Sequence, residues 1–295
     1  MRQRFQGCMT AIITPFEDDG SIDYRSFEKF LEFQISSGIH GIVVCGSTGE
    51  AATLSDDEQT ELIKFAVEKV NKRTLVVGGA SSNNTAYAVK RAEIVSSLGV
   101  DAILSTSPYY NKPTQAGIFE HYKAQANVSS VPIIAYNVPG RTGSNITWET
   151  SLKLQEIPKV LGVKEASGNP TQIMQILKHR TRKDFFIWIG EDSHALPMMG
   201  VGADGVISVL SNEIPKEFSM VAELALDGNF KSAAKLFLKY LELSEANFLD
   251  SNPIPVKYIL SKMGYCKEYY RLPLVKTSDD KKAALDTIAK SVGLY

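Results

Sequence analysis

The sequence predicts an α/β protein built as a closed (β/α)8 barrel, a TIM barrel, with a C-terminal three-helix appendix. Three observations carry this. Eight short apolar runs recur along most of the 295 residues. Stretches with helical spacing separate them, and the strand signal stops after about residue 225. The length suits one such barrel.

The runs are Cys8 to Thr14, Gly41 to Cys45, Thr74 to Gly78, Asp101 to Ser105, Pro132 to Tyr136, Val160 to Lys164, Phe185 to Ile189 and Gly205 to Val209. Most are rich in Val and Ile and do not alternate with polar residues, as strands buried on both faces do not. Between the first two runs, Phe27, Phe30, Leu31 and Ile35 recur at intervals of three and four. Leu62, Phe65, Ala66 and Val70 do the same after the second. Asp23 stands where the first helix should start, and Ser55 with Glu58 resembles a capping box for the second. Gly38, Gly99 and Gly228 stand at expected helix stops. Strand and helix alternating eight times makes a parallel sheet. Eight equal units without a long insertion favour closure over an open, doubly wound sheet. Beyond residue 225, Lys231 to Phe248, Pro255 to Lys262 and Asp279 to Lys290 read as three helices. The division is a catalytic barrel over 1–225 and a helical region over 226–295.

Bulk composition excludes several function classes. Lys+Arg is 32 against Asp+Glu 33, so no excess of positive charge points to nucleic acid or an anionic membrane. No apolar run reaches the ~18 residues of a membrane span. Met1 to Phe5 lack the apolar stretch of a secretion signal. Cys8, Cys45 and Cys266 are odd in number and far apart, which suggests reduced thiols in the cytoplasm.

In a barrel, reactive groups gather where strands end and the following loops begin. The sixth run ends in Lys164. A lysine aimed into a barrel interior is held in low dielectric, which disfavours the ammonium and leaves a nucleophilic amine. Such an amine suits Schiff-base chemistry. The fifth run ends in Tyr136, which can relay protons, and Arg141 in the loop beyond can clamp a carboxylate with two parallel hydrogen bonds. The second run leads into Gly46-Ser47-Thr48-Gly49-Glu50, where glycines allow backbone approach and amides can face a carboxylate. The fourth leads into the Pro-bounded pair Tyr109-Tyr110, and such a loop can pack at an interface. Glu191, Asp192 and His194 do not make metal-ligand spacing, and no metal is expected. Gly200 to Gly205 match G-x-G-x-x-G, but they precede a strand instead of following one, so a dinucleotide site is rejected.

Four segments taken together, Gly46 to Leu54, Pro108 to Gln115, Tyr136 to Gly143 and Lys164 to Asn169, resemble the dihydrodipicolinate synthase family of the N-acetylneuraminate lyase superfamily. The resemblance runs from Thr10-Ala11-Ile12-Ile13-Thr14-Pro15-Phe16 to Arg271-Leu272-Pro273-Leu274. It implies a Schiff-base-forming lyase that needs no cofactor, condensing pyruvate with L-aspartate 4-semialdehyde in lysine and diaminopimelate biosynthesis. It assigns Lys164 to the imine, Tyr136 to proton transfer, and Ser47 and Tyr110 to the rest of the relay. Tyr110 would come from a neighbouring subunit of a homotetramer, a dimer of dimers. Thr48 would hold the pyruvate carboxylate, Ile207 would offer a backbone contact, Gly190 would leave room, and Arg141 would hold the semialdehyde carboxylate.

Two departures stand out. Ser47 replaces the usual threonine, and Gly-Ser-Thr-Gly-Glu also occurs in sialic acid lyases, so another pyruvate aldolase such as N-acetylneuraminate lyase is the alternative. Arg141 argues against it. A non-catalytic binding protein would be expected to lose Lys164 or Tyr136, and both are present. At the positions where feedback-inhibited members bind lysine, Ala51, Asp56, Gln59 and Tyr87 differ, while Asn83 and Tyr109 match. A lysine ammonium would lose its glutamate partner at Tyr87, a contact of roughly 1.5–3 kcal/mol. Feedback by lysine is therefore expected to be weak or absent.

Overall fold

The computed structural model describes residues 4–295; Met1, Arg2 and Gln3, on which the reading of the N-terminus partly rests, lie outside them. Eight parallel strands close into a barrel in chain order. They are β1 (Gly7–Ala11), β2 (Gly41–Val44), β3 (Leu75–Gly79), β4 (Ala102–Thr106), β5 (Ile133–Asn137), β6 (Val160–Glu165), β7 (Phe186–Ile189) and β8 (Gly205–Ser208). β1 closes the ring against β8, with Gly7 opposite Gly205 and Thr10 opposite Ser208. Each apolar run seen in the sequence overlaps one strand, which accounts for the absence of alternation; the first run reads on to Thr14 where β1 ends at Ala11. Met9, Val43, Val77, Leu104, Ile134, Trp188 and Ile207 fill the interior. Their neighbours Cys8, Val44, Val76, Ile103, Ile133, Ile187 and Val206 pack outward against the helices.

Helix starts follow the sequence signals. Asp23 accepts from the Ser26 N–H at the head of helix Tyr24–Ser36, and Ser55 and Glu58 form a capping box at the head of Asp56–Val70. Gly38, Gly99 and Gly228 all take positive φ just beyond helix ends, where any Cβ would be strained.

The last barrel helix, Pro215–Leu226, ends where the strand signal was expected to stop. The C-terminal region differs from the sequence reading in one respect. The single helix expected over Lys231 to Phe248 is two, Phe230–Lys239 and Leu241–Ala246. Tyr240 breaks it, with φ −110 and ψ 10, and its ring is buried in the core. Burying that ring draws the backbone out of helical geometry, with no glycine or proline to announce the break. Helices Ile254–Lys262 and Asp279–Ser291 complete the region.

Candidate active site

Lys164 and Tyr136 stand opposite each other in the pairing of β5 with β6, and both side chains point inward. The Lys164 amine lies 4.3 Å from the centre of the Tyr136 ring. Lys164 is only 5% exposed. Burial, with a contribution from the Arg141 charge, lowers its pKa to about 8, against a smaller opposite pull from Asp192. Burial also pushes the Tyr136 phenol up to about 12, with Arg141 and the neighbouring Ser47 hydroxyl acting in the other direction.

The next residue on each strand points out of the barrel and fixes the pair from behind. Asn137 Nδ2 donates to Glu165 Oε2 at 2.9 Å, Gln172 Nε2 donates to the same oxygen at 3.0 Å, and the Ser167 N–H donates to Oε1 at 2.7 Å. These bonds tie β5, β6 and helix Pro170–His179 together immediately beside the two inward side chains. Burial holds the Glu165 carboxyl above its ordinary range.

A cavity of about 230 Å³ opens over this pair. That is smaller than the ~300 Å³ at which sites for drug-sized ligands begin, so the space suits small acids. Ser47 and Thr48 line one side, Arg141 the mouth, and Gly190 the wall beside Lys164. A Cβ at Gly190 would come within 3.0 Å of Lys164 Cε and 2.6 Å of Ala166 Cβ. Glycine there leaves the amine's chain free to move.

The Gly46 to Glu50 loop is held from the C-terminal region. Asn252 Nδ2 donates to Thr48 Oγ1 at 2.9 Å, and the Asn252 carbonyl accepts from Arg141 Nη2 at 3.0 Å. Lys257 Nζ meets Glu50 Oε1 at 2.6 Å with both side chains buried. The structure thus brings Lys164, Tyr136, Ser47, Thr48, Arg141 and Gly190 to one cavity.

A sequence model of the dihydrodipicolinate synthetase family matches residues 4–292. The chain belongs to the dihydrodipicolinate synthetase family. It is 47% identical over 292 residues to the 4-hydroxy-tetrahydrodipicolinate synthase of Koribacter versatilis (strain Ellin345), covering 99% of this chain and 97% of that one. The dihydrodipicolinate synthase structure from Thermotoga maritima superposes with a TM-score of 0.97 at 36% identity, covering 99% of this chain and 100% of the other. The chloride-inhibited enzyme from Acinetobacter baumannii, complexed with pyruvate, superposes with a TM-score of 0.96 at 39% identity, covering 98% and 99%.

Two of the residues singled out on the strength of the dihydrodipicolinate synthase resemblance do not line the cavity. Ile207 is fully buried on β8, two residues before Val209, which does line it. Tyr110 lies outside, 87% exposed, at φ +71, with its N–H bonded to the Thr142 carbonyl at 3.1 Å. Among the described residues, no group of three or more His, Cys, Asp or Glu side chains could hold a metal, and no helix is long and apolar enough to cross a membrane. The stretch from Gly200 to Gly205 leads into β8 and opens no helix.

Sequence reasoning gave no role to Asn137, Glu165, Phe248 or Asn252. Asn137 and Glu165 had a signal, since each directly follows an inward-facing site residue. Asp192, read only as a poor metal ligand, is fully buried, and its Oδ2 accepts from the Val209 and Leu210 N–H groups at 2.9 and 2.8 Å. Phe248 and Asn252 carried no signal, because only folding brings them to the barrel mouth.

Proposed function

We propose that this chain is a 4-hydroxy-tetrahydrodipicolinate synthase, condensing pyruvate, bound as an imine on Lys164, with L-aspartate 4-semialdehyde. The observation that carries the reading is a buried, weakly basic amine facing Tyr136 inside a small cavity whose mouth holds Arg141. The names of the relatives agree with it.

The neutral amine adds to the pyruvate ketone, and loss of water gives the imine. A methyl proton then leaves by way of Tyr136, and the resulting enamine carbon bonds to the aldehyde carbon of the second substrate. The aldehyde oxygen takes a proton and becomes the 4-hydroxyl. The amino group of that substrate attacks the imine carbon, closes the ring and releases Lys164. One water is lost overall. Ser47 continues the relay from Tyr136. Thr48 Oγ1, already accepting from Asn252, keeps its own proton free for the pyruvate carboxylate. Gly190 leaves room for the adduct, and a backbone group of Ile207 contacts it. Arg141 holds the carboxylate of the semialdehyde.

The exposure and left-handed backbone of Tyr110 support a role outside its own subunit. Its hydroxyl then completes the relay in a neighbour, within a homotetramer arranged as a dimer of dimers. The reaction needs no metal or cofactor, and the cytoplasm is its setting.

The decisive assay sets condensation of pyruvate with aspartate semialdehyde against cleavage of N-acetylneuraminate. Turnover in the first that far exceeds any in the second is expected. The reverse would assign the chain to sugar-acid cleavage, the alternative that Ser47 leaves open.

A further inference from the structure

The segment joining helices Leu241–Ala246 and Ile254–Lys262 reaches the mouth of the cavity and is tied down at both ends. At one end Asn247 is fully buried, and its Nδ2 donates to Glu213 Oε2 at 2.9 Å. Glu213 belongs to the loop after β8 and is itself buried, which holds its carboxyl well above the usual range. At the other end Asn252 grips Thr48 and Arg141.

Between these anchors stands Phe248. It is 50% exposed, yet it lines the same cavity as Lys164 and Arg141. An aromatic ring left half in water forgoes apolar burial that a ligand can supply. The ring is carried by the C-terminal region and not by a barrel strand, so it is a further surface presented to whatever enters past Arg141.

We propose that Phe248 is a specificity-determining residue that, with Arg141, forms a two-point mouth. The guanidinium takes the carboxylate of the second substrate, and the ring packs on its short methylene chain. An aldehyde whose chain carries hydroxyls would have to strip them of water against the ring, with no partner in exchange. This inference rests on the condensation reading above and names what selects its second substrate.

The test uses the full chain with Phe248→Ala, Phe248→Leu and Asn247→Leu. Three readouts are taken: borohydride trapping of pyruvate, KM and kcat for aspartate semialdehyde, and condensation with N-acetylmannosamine, a polyhydroxylated aldehyde. Loss of one apolar contact shifts discrimination about tenfold or more. Phe248→Ala should therefore raise KM for the semialdehyde about tenfold with kcat within about threefold, and lower the preference for it over N-acetylmannosamine by a similar factor. Phe248→Leu keeps an apolar wall and should restore most of the KM. Asn247→Leu frees the anchor without touching the cavity and should move KM in the same direction by less. Pyruvate trapping should be unchanged in all three. Unchanged KM and preference in Phe248→Ala, with trapping intact, would overturn the proposal and leave the condensation reading standing. A lower melting temperature in Asn247→Leu with KM unmoved would reduce the Glu213 bond to a purely structural one and remove the anchor from the argument. Absence of trapping in the unaltered chain would instead remove the reading beneath it.

Discussion

Replacing Lys257 with methionine removes one member of a buried ion pair far from Lys164 in sequence but directly behind the Gly46 to Glu50 loop. Lys257 Nζ is 2.6 Å from Glu50 Oε1, with side-chain exposures of 0% and 1%. At that separation the Coulomb attraction is about 6 kcal/mol for an effective dielectric constant near 20. Desolvation of both groups offsets much of it, so the pair itself adds little net stability. Breaking it is different, because Glu50 is then left buried with, among the described residues, only the Arg271 N–H, at 3.3 Å, as a donor. The expected loss is about 3–5 kcal/mol, or a fall in melting temperature of about 6–10 °C for a chain of this size. The loss should reach function as well. Glu50 closes the loop that begins with Ser47 and Thr48, so kcat/KM should fall along with stability. Denaturant unfolding and steady-state kinetics of Lys257→Met check both. The double variant Glu50→Gln with Lys257→Met leaves no buried charge and should recover at least half of the lost stability. A loss below about 1 kcal/mol in the single variant, or a double variant that merely adds the two single losses, would refute the reasoning.

Four further outcomes are expected. The Lys164 pKa of about 8 places half of the amine in the neutral form near that pH, so the rate of pyruvate trapping should rise about tenfold per pH unit below it and level off above. The native value lies below the 10.5 of a free lysine. The unfolded chain therefore binds more protons between about pH 8 and 10.5, and stability should climb with pH across that window. Lys164→Met should flatten the climb, as urea titrations at several pH values would record. Asn137→Ala leaves Glu165 with fewer donors and should cost about 1–3 kcal/mol. It should also lower kcat without abolishing imine formation, which separates positioning from chemistry. Lysine should inhibit weakly or not at all, because the family resemblance puts Tyr87 at the position of the glutamate of feedback-inhibited members, and its hydroxyl donates to Asp56; a steep inhibition curve at low lysine concentration would contradict this.

The barrel was legible because its strands are buried on both faces, so each registers as a continuous apolar run whatever the loop beyond it contains. Helix starts at Asp23 and Ser55 were legible because their caps act within three residues. The division at Tyr240 was not, since helical spacing continues through it and only tertiary burial of the ring breaks the backbone. Within the site, Lys164, Tyr136, Ser47, Thr48, Arg141 and Gly190 could be found by asking what ends each run. The assignment of Tyr110 and Ile207 rested on resemblance alone, and neither lines the cavity in a single chain. Asn252, Lys257 and Phe248 could not be found by that route. Asn252 and Lys257 act on loops some 100 to 200 residues away, Phe248 reaches the cavity only through the fold, and no local pattern marks such placements.

The central claim is that Lys164 bonds covalently to a 2-oxo acid. Its most direct test is reduction with borohydride in the presence of pyruvate, followed by peptide mapping. A single adduct on the peptide containing Lys164, absent without pyruvate and absent in Lys164→Ala, is the predicted result. An adduct on any other lysine, or full turnover by Lys164→Ala, would contradict it.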